Sequence, residues 1–331
     1  MSQRIEYIDT LKGIAIILVV MGHVVQFIWG DRYGSDQIIF ILIYSFHMPL
    51  FFFLSGLCTK VIDRGGISLK KKMKSLLYPF LLWNLIVYFQ HIQVEAGSIS
   101  AIRHAGYWFL ICLFYMNCTS KIAQLFEFRM NKEAKIMFDI IIHFLIYLII
   151  LLICKYTDGS KLNELLCLQF LPFNMPFFIL GYLFKKYRKL DIIMSTEKVG
   201  FYALLAYCCL IYIRIYQFDN IHHKLFPSIL IAFTAIIAIY SLFKDKKQSD
   251  RFQFINKIGQ RSLEIYLIHP LMFVGLGLLA NPLVEYKHNI LLVLFVVSLF
   301  TIVCVCYCMI ITELLWRNKY VVLFFFGRQS K

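Results

Sequence analysis

A lysine and a histidine stand eleven residues apart in the first apolar segment of this 331-residue chain, Lys12 and His23. In an α-helix, eleven residues return to within about 20° of the starting direction and rise about 16 Å, so both side chains share one face. An imidazole that is mostly neutral at physiological pH can act as a general base, and an ammonium group can bind phosphates. The spacing therefore favours a site for a long phosphorylated donor whose reactive end reaches His23.

Each of these residues also has a purely structural explanation. His23 could form a hydrogen bond between helices, and Lys12 could anchor a helix end at a lipid interface. Asp9, one turn before Lys12, can pair with it or cap the start of the helix. The joint spacing of Lys12 and His23 is the feature that favours chemistry.

A second histidine, His47, precedes a proline in an apolar stretch that also contains Ser55. If this stretch runs inward from the outer face of a membrane, His47 lies near the depth of His23. Pro49 lacks a backbone donor, and lipid tolerates the freed carbonyl only where neighbouring groups or water satisfy it. The pattern indicates a polar cavity beside His47 or, as the alternative, a proline kink with a packed histidine.

A third histidine, His269, lies one turn after Tyr266, and Ser262 falls near the same helix face. Glu264, in the same stretch, is expected at the membrane interface. His143 stands alone among Ile, Phe and Leu and is expected to be a structural donor between helices. Ionisable groups at membrane depth are costly unless they are paired or face a cavity. The histidines at depth are therefore the main candidates for a site.

The elements that carry these residues are predicted to be membrane-spanning helices. The chain is 60% apolar and 16% charged, with a mean hydropathy of +0.71. Soluble proteins have about 45–50% apolar and about 25% charged residues, which excludes a soluble fold. We predict an all-α polytopic membrane protein, one domain over residues 1–331, with about ten transmembrane helices of the usual ~20 residues. These spans are 13–29, 38–58, 75–92, 107–126, 137–154, 164–184, 199–216, 225–243, 262–281 and 289–316.

The basic residues alternate between the two sides of this predicted topology. Of the 34 Lys and Arg residues, 27 fall on one side and 7 on the other. Cytoplasmic loops are enriched in Lys and Arg, so both termini are predicted to be cytoplasmic. The formal charge of +15 is then a topology signal, and nucleic acid is excluded as a partner.

The ten cysteines indicate neither a metal site nor a redox motif. They form no CxxC pair, nearly all lie inside predicted spans, and Cys304, Cys306 and Cys308 alternate between helix faces. We expect no metal and interpret the cysteines as small buried apolar residues.

Taken in order, these motifs are similar to those of acyltransferase family 3, the bacterial integral-membrane O-acyltransferases that act on surface glycans. The matching stretches cover nearly the whole chain: residues 7–13 with His23, 46–56, 108–110, 177–182 and 265–269. The resemblance implies an enzyme of the bacterial plasma membrane that takes an acyl group, usually acetyl, from acyl-CoA on the cytoplasmic side. The implied acceptor is a hydroxyl of a cell-surface polysaccharide or lipid-linked glycan. Acetyl-CoA is then a co-substrate, with no bound cofactor, and membrane lipid and glycan-assembly proteins are the expected partners.

The resemblance also implies roles for the donor side of the site. His23 is expected to act as general base on the acceptor hydroxyl, or to accept the acyl group transiently. Lys12 stands where the family more often has Arg, and Lys71 and Lys74 have the spacing of a family Arg-x-x-Arg pair. These three lysines are expected to hold the CoA phosphates.

On the acceptor side, His47, Tyr266 and His269 are expected to orient the second substrate or to stabilise the oxyanion. Asp9, Ser55 and Trp108 are expected around the substrates.

Two other classes of function stay open. One is an exporter of polysaccharide or lipid-linked sugar with an intramembrane histidine proton relay. The other is a structural membrane subunit, which would leave the Lys12–His23 spacing unexplained. No pair of broken helices occurs in corresponding halves, and the basic residues concentrate on the inner loops beside Lys12, so the pattern favours the enzyme.

Overall fold

The computed structural model describes residues 5–34, 38–61, 66–92, 107–127, 135–216, 225–244, 252–273 and 289–328. Within these ranges the regular secondary structure is helical throughout, and no strand occurs. The predicted all-α class is therefore confirmed.

The helices of the first half are α1 (Glu6–Gly34), α2 (Ile38–Tyr44), α3 (His47–Leu57), α4 (Leu69–Lys72), α5 (Tyr78–Ile92) and α6 (Trp108–Glu127). A π-helical turn, Met73–Leu77, joins α4 to α5. The helices that follow are α7 (Lys135–Tyr156), α8 (Lys161–Leu165), α9 (Leu171–Lys186), α10 (Arg188–Met194), α11 (Glu197–Tyr216), α12 (Leu225–Phe243), α13 (Gln253–Gln260), α14 (Ser262–Met272), α15 (Ile290–Trp316) and α16 (Lys319–Phe326).

In the part of the chain that the structure describes, seven helical segments are long and apolar enough to cross a membrane: Glu6–Ile28, Ile38–Leu57, Trp108–Phe126, Ile136–Tyr156, Glu197–Tyr216, Leu225–Phe243 and Ile290–Trp316. They coincide with seven of the ten predicted spans. The second segment turns at residues 45–46, between α2 and α3. Pro49 consequently lies in the first turn of α3, where a missing N–H breaks no helical hydrogen bond.

The other three predicted spans are helices too, but shorter than a straight span needs. They are α5 with 15 residues, α9 with 16 and α14 with 11. The π-helical turn extends α5 toward the predicted length, and residues 274–281 of the ninth predicted span lie outside the described residues. The count of ten spans and the cytoplasmic termini stay predictions.

The chain divides into two compact units. The first unit comprises Met1–Phe51 with Ile192–Arg317, and the second unit comprises Phe52–Asp191 with Asn318–Lys331. Each unit thus combines two separate parts of the sequence, and the first division falls inside α3. The single domain expected over residues 1–331 stays a prediction.

In the first unit, α1 packs against α2, α13, α14 and α15. The contact with α13 is close because two glycines have no side chain there. A Cβ on Gly259 would overlap the backbone carbonyl of Asp9, and one on Gly13 would overlap that of Ile255. Small residues let helix backbones approach in this way. The beginning of α1, which carries Asp9 and Lys12, is therefore held against α13.

In the second unit, α6, α7 and α9 pack together, and α16 packs on α5. Trp83 of α5 donates its indole N–H to the carbonyl oxygen of Phe325 at 2.8 Å. Helix α7 turns a broad apolar surface outward, on which the exposed side chains include Ile140, Ile141, Phe144, Leu145, Ile149 and Leu152. A surface of this kind requires lipid as its solvent. The protein is a multi-pass membrane protein.

Candidate active site

Two of the predicted histidines meet inside the first unit. His23 projects from α1 and His269 from α14, and their ring centroids lie 5.3 Å apart at an interplanar angle of 35°. Tyr266, one turn before His269, has its ring centroid 6.1 Å from that imidazole. The contact arises because α14 packs along α1. The structure thus brings together three of the residues that the sequence singled out.

The three histidines differ in exposure. His47 and His269 are 4% and 1% exposed, whereas the side chain of His23 is partly exposed. A residue that acts on a substrate must be reachable by it, so His23 is the best placed of the three to meet a substrate atom.

The Nδ1 atom of each histidine lies at hydrogen-bond distance from an oxygen. His47 Nδ1 lies 2.8 Å from the carbonyl oxygen of Ile43, and His269 Nδ1 lies 3.0 Å from that of Ile265. A carbonyl oxygen can only accept, so both imidazoles carry their proton on Nδ1 and keep a lone pair on Nε2. His23 Nδ1 lies 3.2 Å from the amide oxygen of a glutamine side chain, which implies the same tautomer.

That glutamine, Gln26, and its neighbour Tyr44 were not among the predicted site residues. Tyr44 donates its O–H to Gln26 Oε1 at 2.7 Å. The Tyr44 ring also lies edge-on to His47, with centroids 4.6 Å apart. Hydrogen bonds therefore connect His23, Gln26 and Tyr44, and a ring contact links Tyr44 to His47. The signal available in the sequence was the i to i+3 spacing of His23 and Gln26, which places both on one side of α1.

Aromatic rings flank the histidine pair on one side. The Phe273 ring lies 6.4 Å from His23 and 6.0 Å from His269, and it stacks on Phe27 at 4.8 Å. These rings give the site a low local dielectric, in which hydrogen bonds to the imidazoles are stronger than in water.

A further polar contact lies at the turn before α3. Ser45 Oγ lies 3.1 Å from the hydroxyl of Tyr207 on α11, and Ser45 also donates to the Leu42 carbonyl at 2.7 Å. The sequence did not single out this pair, which joins the turn between α2 and α3 to α11 in the first unit.

The first turns of α1 carry the predicted donor-binding residues. Asp9 is buried and Lys12 is partly exposed. Thr10 donates a hydrogen bond to Asn256 of α13, which fixes this end of α1. Because Lys12 and His23 belong to one unbroken helix, their predicted axial separation of about 16 Å applies.

Four predicted residues belong to the second unit. Lys71 and Lys74 are exposed, on α4 and on the π-helical turn. Ser55 is partly buried in α3, and its carbonyl accepts a hydrogen bond from Thr59 at 2.9 Å. Trp108 stacks on Phe170 with centroids 4.2 Å apart. The predicted site residues are therefore divided between the two units.

Two further predicted residues, His143 and Glu264, are both buried. His143 is buried and has the expected structural role between helices, but as an acceptor: its Nδ1 donates to the Asp139 carbonyl of its own helix at 2.7 Å, and its Nε2 lies 3.5 Å from the Ser120 hydroxyl of α6. Glu264 is fully buried inside the protein, and neither carboxylate oxygen has a hydrogen-bond partner among the described residues. This burial accompanies the packing of α14 against α1 and α15, and the expected depth of Glu264 at the membrane interface stays a prediction. No group of three or more His, Cys, Asp or Glu side chains in the described ranges could hold a metal ion.

Comparison with known proteins connects the chain to a family. The curated relatives include two proteins named "Nodulation protein NolL". The one from Sinorhizobium fredii (strain NBRC 101917 / NGR234) is 27% identical over 305 residues, which is 80% of this chain and 77% of the relative. The one from Mesorhizobium japonicum (strain LMG 29417 / CECT 9101 / MAFF 303099) is 36% identical over 87 residues, which is 24% of this chain and 23% of the relative. No solved structure matches the chain.

The family model described as "Acyltransferase domain", that of acyltransferase family 3, matches residues 5–311. This range includes α1 with Lys12 and His23, the turn before α3 and all of α14. The chain therefore belongs to acyltransferase family 3 and is a membrane acyltransferase.

Proposed function

We propose that this chain is an O-acetyltransferase that transfers the acetyl group of acetyl-CoA to a hydroxyl of a cell-surface polysaccharide or lipid-linked glycan in the bacterial plasma membrane. The observation that carries the proposal is the state of His23. It is partly exposed, its Nδ1 is bound to an acceptor, and its Nε2 keeps a lone pair. It also shares one face of α1 with Lys12, so a donor anchored at the inner surface can reach it.

The proposed reaction begins at Nε2 of His23. This nitrogen removes the proton of the acceptor hydroxyl as the hydroxyl oxygen attacks the thioester carbonyl carbon. The carbon–sulfur bond then breaks, and the CoA thiolate leaves and takes the proton from His23. The products are the acetyl ester and CoA. In the alternative order, His23 Nε2 attacks the thioester carbonyl and CoA leaves as the thiolate; the acceptor hydroxyl then attacks the acetyl carbon, the bond to Nε2 breaks, and the hydroxyl proton goes to the thiolate.

The other residues of the first unit suit different tasks. His47 and His269 commit their Nδ1–H groups to backbone carbonyls, so each offers Nε2 as an acceptor. An acceptor nitrogen suits a sugar hydroxyl better than an oxyanion. Tyr266 carries an O–H that can donate to the oxyanion, and it is the candidate for that role.

Lys12, Lys71 and Lys74 are proposed to hold the CoA phosphates. Lysine provides a compact point charge, which serves phosphate binding without the bidentate geometry of arginine. Asp9, Ser55 and Trp108 are proposed to surround the substrates, without a chemical step of their own. The ten spans and cytoplasmic termini, and partnership with glycan-assembly proteins, belong to the same proposal.

The test is acetyl transfer in proteoliposomes. Purified protein is supplied with radiolabelled acetyl-CoA and with bacterial lipid-linked glycans as acceptor, and label in the glycan fraction is counted. His23→Ala should lower transfer by at least about 10²-fold, the usual contribution of a general base. His143→Gln is the matched control, because it alters a buried histidine outside the site and should keep transfer within a few-fold of wild type.

Retained transfer in His23→Ala would refute the central assignment. Wild-type protein that fails to bind acetyl-CoA would favour the exporter, for which movement of lipid-linked glycan across the same vesicles is the direct measurement.

A further inference from the structure

His23 differs from the other two histidines of the site because its Nδ1 contacts a glutamine side chain. His47 and His269 use backbone carbonyls one turn earlier in their own helices as Nδ1 acceptors. His23 instead faces Gln26 Oε1, an oxygen on a side chain that is itself held from a second helix. The site thus contains one imidazole with a side-chain partner and two with backbone partners.

The geometry of Gln26 uses both lone pairs of its amide oxygen. One interaction is with His23 Nδ1 at 3.2 Å, and the other is with the Tyr44 hydroxyl at 2.7 Å. Since an amide oxygen only accepts, the first interaction requires the proton of His23 to be on Nδ1. Nε2 is then the basic nitrogen.

Tyr44 is firmly placed by its surroundings. Its ring stacks on Phe40, with centroids 3.8 Å apart, and lies edge-on to His47. Its edge also fills the space beside Gly22, where a Cβ would come within 2.7 Å of the ring. The glycine that precedes His23 therefore admits the tyrosine that holds Gln26.

The partner of His23 is a neutral amide, which fits the aromatic surroundings of the imidazole. In catalytic triads a carboxylate orients the base histidine and stabilises its charged form. A carboxylate beside the aromatic rings of this site would add a costly buried charge, whereas an amide supplies the same acceptor geometry without one.

We propose that Gln26, held by Tyr44, is the positioning residue that keeps His23 in the Nδ1–H tautomer and directs its Nε2 at the acceptor hydroxyl. The inference rests on the proposed acetyl transfer for its role in turnover, but its structural content can be measured without turnover. Among the described residues, the titratable groups in contact with His23 and Gln26 include His269 from α14 and Tyr44 from α2, with His47 beyond Tyr44.

The first test is kinetic. Gln26→Leu should lower kcat about 10- to 100-fold, as loss of a partner that orients a histidine does elsewhere, and should leave KM for acetyl-CoA within about twofold. Tyr44→Phe should lower kcat less than Gln26→Leu does. In the Gln26→Leu background it should lower kcat no further, because Tyr44 acts only through Gln26. Gln26→Glu keeps an acceptor for Nδ1 and should move the acidic limb of the pH–rate profile to higher pH, since a carboxylate stabilises the imidazolium.

Tyr207→Phe is the matched control, because it removes another tyrosine hydroxyl that bonds a polar side chain in the same unit. It should leave kcat unchanged. Wild-type kcat in folded Gln26→Leu, or an equal loss in Tyr207→Phe, would overturn the inference.

The second test does not depend on turnover. Protein labelled with ¹⁵N in histidine, with the His23 signals identified by their loss in His23→Ala, should show a protonated Nδ1 and a bare Nε2 for His23. The Nδ1 signal should change in Gln26→Leu. A bare Nδ1 in wild type would overturn the inference even if acetyl transfer is confirmed. Absence of acetyl transfer together with the expected tautomer would count against the proposed function alone.

Discussion

At the scale of single residues, exposure and hydrogen bonding distinguish histidines that look alike in the sequence. His23, His47 and His269 all lie in apolar segments, yet only His23 keeps exposed surface and a side-chain acceptor at Nδ1. His143 also lies in an apolar segment, but it joins two helices of the second unit. The chemistry proposed for His23 follows from these differences, since residue type alone does not separate the four.

The role of Lys12 gives a prediction at this scale. Lys12→Ala should raise KM for acetyl-CoA about tenfold, because a charge-assisted bond to phosphate is lost, and should leave kcat within about threefold. Lys12→Arg should restore most of the affinity. Initial rates over a range of acetyl-CoA concentrations measure both constants.

The control is Lys257→Ala, which removes an exposed lysine from α13, the helix that packs against the start of α1. It should leave KM unchanged. An equal rise in KM for both variants would show a diffuse charge effect and contradict a specific role for Lys12.

At the scale of helices, two kinds of contact hold the elements in place. In the second unit, Asp139 of α7 is 1% exposed and accepts from Lys186 of α9 at 2.5 Å and from the Tyr187 hydroxyl at 2.6 Å. In the first unit, glycines bring α13 against α1. The first contact depends on charge and the second on shape, so they should respond to different substitutions.

The buried ion pair predicts a large loss of stability when one partner is neutralised. Asp139→Asn should lower the free energy of unfolding by about 3 kcal/mol, because it leaves the Lys186 charge without compensation. Titration with sodium dodecyl sulfate in mixed micelles measures this quantity. Asp139→Asn combined with Lys186→Met should recover most of the loss, and a double variant less stable than the single one would contradict the argument.

The close crossing of α13 and α1 predicts a cost for added volume. Gly259→Ala should destabilise the protein by about 1–3 kcal/mol, because the new methyl group overlaps the Asp9 carbonyl and must displace α13. It should also raise KM for acetyl-CoA, since Lys12 belongs to the same end of α1. The neighbouring Gln260→Ala alters an exposed side chain and should do neither. Unchanged stability in Gly259→Ala would show that the helices can separate without cost.

At the scale of the whole molecule, composition predicts the membrane environment and charge predicts the orientation within it. Apolar side chains cover the outward surfaces of helices such as α7 and α15, where only lipid can solvate them. The 34 Lys and Arg residues fall mostly on one side of the predicted topology. This asymmetry is the basis for placing both termini in the cytoplasm.

Reporter fusions test that orientation and the count of ten spans. Green fluorescent protein fused after residue 331 should fluoresce, and alkaline phosphatase at the same site should be inactive. Alkaline phosphatase fused after residue 105 or 220, in predicted outer loops, should be active, and after residue 130 or 247 it should not. An active phosphatase at the C-terminus would place that end outside the cytoplasm and contradict the topology.

The sequence by itself determined what depends on local geometry. Apolar length and composition predicted a membrane protein and the positions of its helices, and seven of the ten predicted spans coincide with helices long enough to cross a membrane. The relation between Lys12 and His23 could also be predicted, because both lie in one helix, whose rise and rotation per residue are constant. The ordered motifs predicted the family, which the match over residues 5–311 confirmed.

The tertiary structure decided what depends on which helices meet. His23 contacts His269 because α14 packs along α1, Tyr44 reaches Gln26 because Gly22 leaves room for its ring, and Glu264 is buried because its helix is enclosed. Each of these contacts joins residues far apart in the chain, or depends on a neighbouring helix to cover a position. Helical periodicity orders residues along a single helix only. The partners across helices are set by side-chain packing between them, for which one sequence has no comparable repeating rule.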